Sequence, residues 1–368
     1  MKHFELHIIQ SVPVSCLNRD DFGSPKSAFF GGVPRARISS QCWKRAARRM
    51  MAELAPDYFK GERTRLFIAP LARDIEAQGF SADEAGAAAR AIADKLAKLD
   101  AKKGEVAEKV KTLFFSSPKE MKEIARLYAE AAKEAAEQKA AGEKKPADPI
   151  AAVEKALKKK KGVCCDAADI ALFGRMVASF PDLGLEGAAM FNHALSTGRV
   201  SNEVDFFTAV DDLQPEEETG AGMAGTQEFN SAVYYRFTAV DLGMLFDESH
   251  LADLPAEDRK AILKAFIEAV VKSVPQAKQN SMNAATLPSH VLAVVRDKGH
   301  PVQLVNAFEE PVKAAGKGIV AESVQKMLTE YEMVKKAWGI PATSETAFDG
   351  KGLTFPEFLE KVVNDALA

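Results

Sequence analysis

Between Phe22 and Ala52 the sequence contains no acidic residue, while Lys26, Arg35, Arg37, Lys44, Arg45, Arg48 and Arg49 supply seven positive charges. A cluster of this kind neutralises phosphates and releases their condensed counterions, the chemistry of gripping a nucleic-acid backbone. Lys44 with Arg48 and Arg45 with Arg49 are spaced four apart, so on a helix they form two adjacent rows on one side. Ser39 or Ser40 at the helix start adds backbone N–H donors and the positive end of the macrodipole. The preceding Gly31-Gly32 lacks side chains, which lets backbone N–H groups approach a phosphate. The same cations also fit an ordinary solvated helix face.

Other segments carry related chemistry. In Asp205-Phe206-Phe207-Thr208, paired aromatics flanked by polar residues read either as core residues or as a platform for bases, where stacking is worth ~1–3 kcal/mol per base. Lys278-Gln279-Asn280-Ser281 offers amides and a cation to sugar and phosphate oxygens, or is a polar loop. Lys155 and the run Lys158, Lys159, Lys160 and Lys161 read as a solvated helix end or as a second nucleic-acid contact. Asp20 and Asp21 in a loop beside the cations fit Mg²⁺ and water for phosphodiester cleavage, or the capping of a turn. The segment GAGMAG at 220–225 matches the dinucleotide fingerprint GxGxxG, but DDLQPEEET precedes it in place of an apolar strand and no clear helix follows, so no Rossmann site is expected. The six histidines (His3, His7, His193, His250, His290 and His300) are scattered, and the four cysteines make neither a CxxC pair nor a zinc-spaced cluster. No metal or cofactor is expected, and the thiols read as buried structural groups in a reducing cytoplasm.

The elements that position these residues follow from periodicity. Phe4, Leu6 and Ile8 alternate with Glu5, His7 and Ile9, the period of a strand in a core sheet. Ser11 to Pro34 is a long loop rich in Gly, Pro, Ser, Asn and Asp. From Arg37 the pattern becomes helical, with Trp43, Ala46, Ala47, Met50 and Leu54 as its apolar stripe. Residues 71–161 shift to Ala, Lys and Glu and carry capping signals at Ser81 with Glu84, Ser117 with Glu120 behind Pro118, and Asp148 before Pro149, marking a helical insertion. The text between Arg199 and Tyr235 suits a protruding arm, Val233, Tyr235 and Phe237 alternate as a strand, Ala261 to Lys272 reads as an amphipathic helix, and Thr354 with Pro356 and Glu357 starts a last helix.

A length of 368 residues suggests two domains or one with large insertions. The composition, 47% hydrophobic and 27% charged, is that of a soluble protein, and a net charge of −3 gives no global attraction to nucleic acid. Any basic surface is therefore local. The amino terminus lacks a basic region followed by an apolar one, and no apolar run approaches the ~20 residues of a membrane helix, so no membrane partner is expected.

Taken in order, the blocks CLNRDD (16–21), FGG ending at Gly32, RISSQ followed by KRA (37–46), DIALFGRM (169–176), FFTAVDDL (206–213), GTQEF (225–229), AKQ (277–279) and NAFE with PVKA (306–314) resemble the CasC family, the repeated backbone subunit of the type I-E CRISPR complex Cascade. The resemblance implies an α+β, hand-shaped fold. Its parts are a ferredoxin-like, RNA-recognition-type palm (1–70 and 162–368), a helical fingers insertion (71–161) and a β-hairpin thumb (199–232). It implies a non-catalytic protein that oligomerises along a guide RNA with other Cascade subunits, kinks the guide with each thumb and leaves base segments free to pair with target DNA. Carried over by motif, Lys26, Lys44, Arg45 and Arg48 are implied phosphate ligands and Ser40 and Gln41 hydrogen-bond partners. Met176 is implied to pack on a guide base, and Phe206, Phe207 and Thr208 to form the thumb tip. Relatives often have Trp at the position of Phe206, and Phe keeps the stacking. By the same resemblance, Lys158 to Lys161 are implied to match the lysines that line a target-DNA groove. The rival is a metal-dependent ribonuclease of the type III kind, cutting target RNA with Asp20 or Asp21.

Overall fold

The computed structural model describes every residue except 102–105, 144, 161, 210, 211, 213–222, 253, 315 and 317. The chain forms two compact units. Met1–Leu54, Met190–Leu242 and Leu263–Ala368 make the first; Ala55–Ala189 and Gly243–Ile262 make the second.

In chain order, β1 (His3–Ser15) leads to the hairpin of β2 (Ser27–Phe30) and β3 (Val33–Ile38), then α1 (Ser40–Leu54). There follow β4 (Glu62–Thr64), α2 (Ile68–Glu76), α3 (Ala82–Ala97), β5 (Phe114–Ser116), α4 (Pro118–Ala140), α5 (Pro149–Lys159) and α6 (Ala168–Phe173). The chain continues through β6 (Ala189–Phe191), β7 (Ala194–Ser196), β8 (Glu203–Ala209) and the long β9 (Met223–Asp241). Then come α7 (Leu242–Leu245), α8 (Ala256–Lys272), α9 (Gln279–Met282), β10 (His290–Arg296), α10 (Ile319–Ala337), β11 (Ser344–Phe348) and α11 (Phe355–Leu367).

The first unit is built on an antiparallel sheet of order β11-β10-β1-β9-β7-β3-β2. β1 lies between β9 and β10, and both of its faces are sealed. Phe4 meets Phe266 of α8 edge-on at 6.2 Å on one side. On the other, Ile9, Tyr235 and Phe237 join Leu304, Phe308, Met327 and Tyr331 in one apolar cluster. The alternating polar residues of β1 are therefore buried and pair among themselves. Glu5 accepts from His3 Nε2 and His7 Nε2 at 3.2 Å each, from Arg296 Nε at 3.3 Å and from the Val302 backbone N–H at 3.1 Å. Burial pushes the Glu5 carboxyl up, but the hydrogen bonds from His3 and His7 and the charges of His7 and Arg296 outweigh it, holding the pKa at about 2.

The second unit is mainly helical. Phe67, Leu71, Ile75, Ala85, Ala89, Ile92, Leu96, Ile124, Val153 and Leu157 form its core, where alanines let α2, α3, α4 and α5 approach closely. The capping signals act as their chemistry requires: Ser81 and Glu84 form a capping box, Ser117 accepts from the Glu120 N–H, and Asp148 accepts from the Ile150 N–H. The unit extends beyond the expected 71–161 because flanking segments pair with it through the backbone. β4 pairs with β5, Arg63 opposite Phe115, and Val110 N donates to Arg65 O, while Lys60 N donates to Asp166 O and ties the two flanking segments to each other. Composition carries no trace of such pairings. Among the described residues no helix is long and apolar enough to cross a membrane, and the four cysteines are free.

Candidate nucleic-acid interface

α1 is aimed by its buried face. Ser39 is the N-cap: its Oγ accepts from the Cys42 N–H at 3.3 Å, while Asn18 Oδ1 accepts from the Ser39 N–H at 2.9 Å and ties the helix start to the loop. Trp43, Ala47 and Met51 are buried. The Arg236 guanidinium lies 3.8 Å over the Trp43 ring and donates to Gln10 Oε1 at 2.5 Å and to the Val270 carbonyl. Complete burial lowers the Arg236 pKa to about 9. With this face fixed, the two cation rows differ. Arg45 and Arg49 are exposed, whereas Lys44 and Arg48 are half-buried, with Lys44 Nζ 5.5 Å over the Phe191 ring. Ser40 is half-buried in the first turn and Gln41 is exposed.

Lys26 and Arg37 lie on adjacent backbone, since Arg37 N donates to Lys26 O at 2.9 Å. The Arg37 side chain donates from Nε to Ser27 O at 3.2 Å and from its NH1 nitrogen to His193 Nδ1 at 3.1 Å. Phe191 at the end of β6 and His193 in the β6–β7 turn thus meet Lys44 and Arg37 respectively.

Two expectations are corrected. Arg35 is fully buried. Its guanidinium donates to the carbonyls of Phe30, Ser196, Thr197, Phe308 and Glu309 at 2.7–3.1 Å, and has no face left for a phosphate. Gly31, at φ +60°, lacks a side chain because a Cβ would come 1.7 Å from the Glu309 carbonyl oxygen. It serves the seat of Arg35 and not an anion. Gly32 is exposed with open space around it.

β8 and the first part of β9 form an exposed hairpin, in which Phe206 pairs with Thr226, Phe207 with Gly225 and Thr208 with Ala224. Thr208 is exposed, and the aromatics, on opposite faces of the strand, are 65% and 39% exposed, which overturns their reading as core residues. The Phe207 ring lies on Gly225, where a Cβ would come 2.7 Å from it, so this ring is braced while Phe206 is the more exposed of the two. Glu216 to Glu218, Gly220, Gly222 and part of GAGMAG lie outside the described residues; Met223 to Gly225 are strand. At the hairpin root Lys278 Nζ donates to Gln227 Oε1, and Gln227 Nε2 contacts Met282 Sδ at 3.8 Å. The Lys278 ammonium therefore braces the hairpin, while Gln279 stays exposed. Gln279 and Asn283 also wall a cavity of about 470 Å³ against Arg45, Arg49 and Met50 of α1.

In the second unit Met176 is 86% exposed. Its neighbour Arg175 is buried and donates to Glu120 at 2.7 Å, Phe115 O at 3.1 Å and Leu183 O at 2.9 Å, which anchors the segment bearing Met176. The lysine run is not uniform. Lys158 pairs with Glu154 at 2.8 Å, Lys160 is mostly buried against Glu123, Lys159 is exposed, and Lys161 lies outside the described residues. Lys160 is thereby withdrawn as a surface cation.

Asp20 Oδ1 accepts from the backbone N–H groups of Phe22 and Ser24 at 2.9 and 3.0 Å, the turn-capping role, while Asp21 is exposed. Among the described residues no group of three or more His, Cys, Asp or Glu is arranged to hold a metal. Sequence reasoning missed Asn18, Phe191, His193 and Gln227 as individual contributors. Asn18 and Gln227 stood inside recognised motifs, but Phe191 and His193 reach the patch from more than 140 residues away, with no local signal.

No curated protein matches the chain. Among solved structures, a chain of a "CRISPR RNA-guided surveillance complex, pre-nicking" is 31% identical, with a TM-score of 0.80 over 99% of this chain and 100% of that one. A chain of a "CRISPR RNA-guided surveillance complex" is 26% identical, with a TM-score of 0.68 over 98% and 99%. The family model described as CT1975-like protein matches residues 4–363. By that match, across nearly its whole length, the chain belongs to the CT1975-like protein family.

Proposed function

We propose that this protein is a guide-RNA-binding backbone subunit of a CRISPR surveillance complex of the Cascade kind. The observation that carries the reading is the set of cations in the first unit, with Arg45 and Arg49 exposed on α1, Lys26 and Arg37 on adjacent backbone, and Lys26 and Arg45 both near Cys42. These groups bind phosphate and ignore base identity, so any guide is accepted and Watson–Crick pairing supplies specificity. Membership of the family and likeness to chains of RNA-guided complexes support this reading. Further copies of the chain and other Cascade subunits are its partners on the guide. The exposed Phe206 acts as the wedge that kinks the guide, Met176 packs on a base, and Lys159 is the lysine of its run best placed for target DNA.

The test is a salt titration of guide binding. Lys44→Glu with Arg45→Glu lowers affinity equally for unrelated spacer sequences. Removing one cation–phosphate pair reduces the slope of log K against log salt by about 0.7. A slope equal to that of the wild type overturns the assignment of α1 as the phosphate grip.

A further inference from the structure

The β6–β7 turn brings to the cation patch one side chain that can change charge near neutral pH. His193 is exposed, its Nδ1 is 3.1 Å from the NH1 nitrogen of Arg37, and Lys26 lies close enough to act on it electrostatically. A guanidinium only donates. Nδ1 must therefore accept, so the ring in the free protein is neutral, with its proton on Nε2. We propose that His193 closes a phosphate clamp with Arg37 and Lys26, taking up a proton as the nucleic acid binds; this rests on the guide-binding reading above.

The charge balance gives the reason. Partial burial, then the charges of Arg37 and Lys26, keep the His193 pKa below its ordinary 6.5 in the free protein. A phosphate seated among the three groups reverses the local field and favours the imidazolium. Protonation of Nδ1 also ends its role as acceptor for Arg37, which releases that N–H toward the phosphate. One proton is taken from solvent, no covalent bond changes, and the clamp gains two charge-assisted donors at once. The bound state holds more protons than the free state, so affinity must fall as pH rises. That fall is confined to the window between the free ring's pKa, lowered from the ordinary histidine value, and the higher pKa of the bound ring.

The experiment uses the full chain and a single-stranded guide RNA, with affinity measured from about pH 6 to 8 at fixed ionic strength. In the wild type the dissociation constant rises by up to about tenfold per pH unit within the window. In His193→Gln, whose amide oxygen keeps an acceptor for Arg37, the profile is flat and the deficit relative to the wild type is largest at the acid end. Calorimetry of the wild type in two buffers of different ionisation enthalpy reads the proton uptake without any variant. Zero uptake, or the same pH slope in wild type and variant, overturns the clamp while leaving guide binding intact. A wild-type chain that binds no RNA at any pH overturns the guide reading and the clamp with it.

Discussion

β1 and α1 are both amphipathic, and their polar faces meet opposite fates. On β1 the residues His3, Glu5 and His7 are buried beneath α10 and the segment around Leu304 and must satisfy one another. On α1 the polar face keeps Arg45 and Arg49 in solvent, because Trp43, Ala47 and Met51 hold the opposite face against the sheet. The arginines repeat the contrast: Arg35 fills its valences with carbonyls, and Arg45, ten residues on, is exposed. A polar side chain in a periodic pattern thus marks a face. Whether that face meets water or another layer is decided by what packs on it, and buried groups carry stability while exposed ones contribute little to it.

The comparison breaks most readily at Arg35. Replacing it with Ala leaves buried carbonyls without donors, and a loss on the order of 4 kcal/mol is expected, read as a drop in the denaturant midpoint at unchanged slope. A loss near zero would mean that Arg35 resembles Arg45. Next is Glu5→Gln, expected to cost about 3 kcal/mol at neutral pH. The Glu5 pKa is depressed in the folded state, so its stabilisation is fully present above pH 4.5 and is lost as pH falls toward about 2. Unfolding measured across that window should steepen with acid in the wild type more than in Glu5→Gln. The smallest effect on stability belongs to Arg45→Ala with Arg49→Ala, within about 0.5 kcal/mol, while guide affinity and its salt dependence both fall. A large stability loss in that pair would place these cations with the buried set.

Much of the fold was legible because local chemistry specifies it. The β1 alternation, the serine cap of α1 and the Ser81, Ser117, Asp148 and Thr354 caps each describe a few consecutive residues, and all are realised. The boundaries of the second unit were less legible, since residues 55–70 join it through backbone pairs such as Arg63 with Phe115 and are tied to 162–189 by pairs such as Phe59 with Ala167. In the interface, the charged face of α1 follows from sequence, whereas the exposure of the hairpin aromatics does not, since the same pair also reads as core. The seating of Arg35 and Gly31 does not, because the carbonyls of Phe308 and Glu309 that claim them lie more than 270 residues away.

By itself the amino-acid sequence determined the capped helix starts, which faces are apolar, and that a run of cations free of acidic residues stands beside a glycine turn, while β2 and the start of β3 arose inside the segment that reads as a loop and Arg37 lies in β3. Only the tertiary structure decided which of those cations meet solvent and which are locked into carbonyls, and that His193 stands against Arg37. The physical reason is that charge is written locally, while desolvation depends on whatever distant segment closes over it.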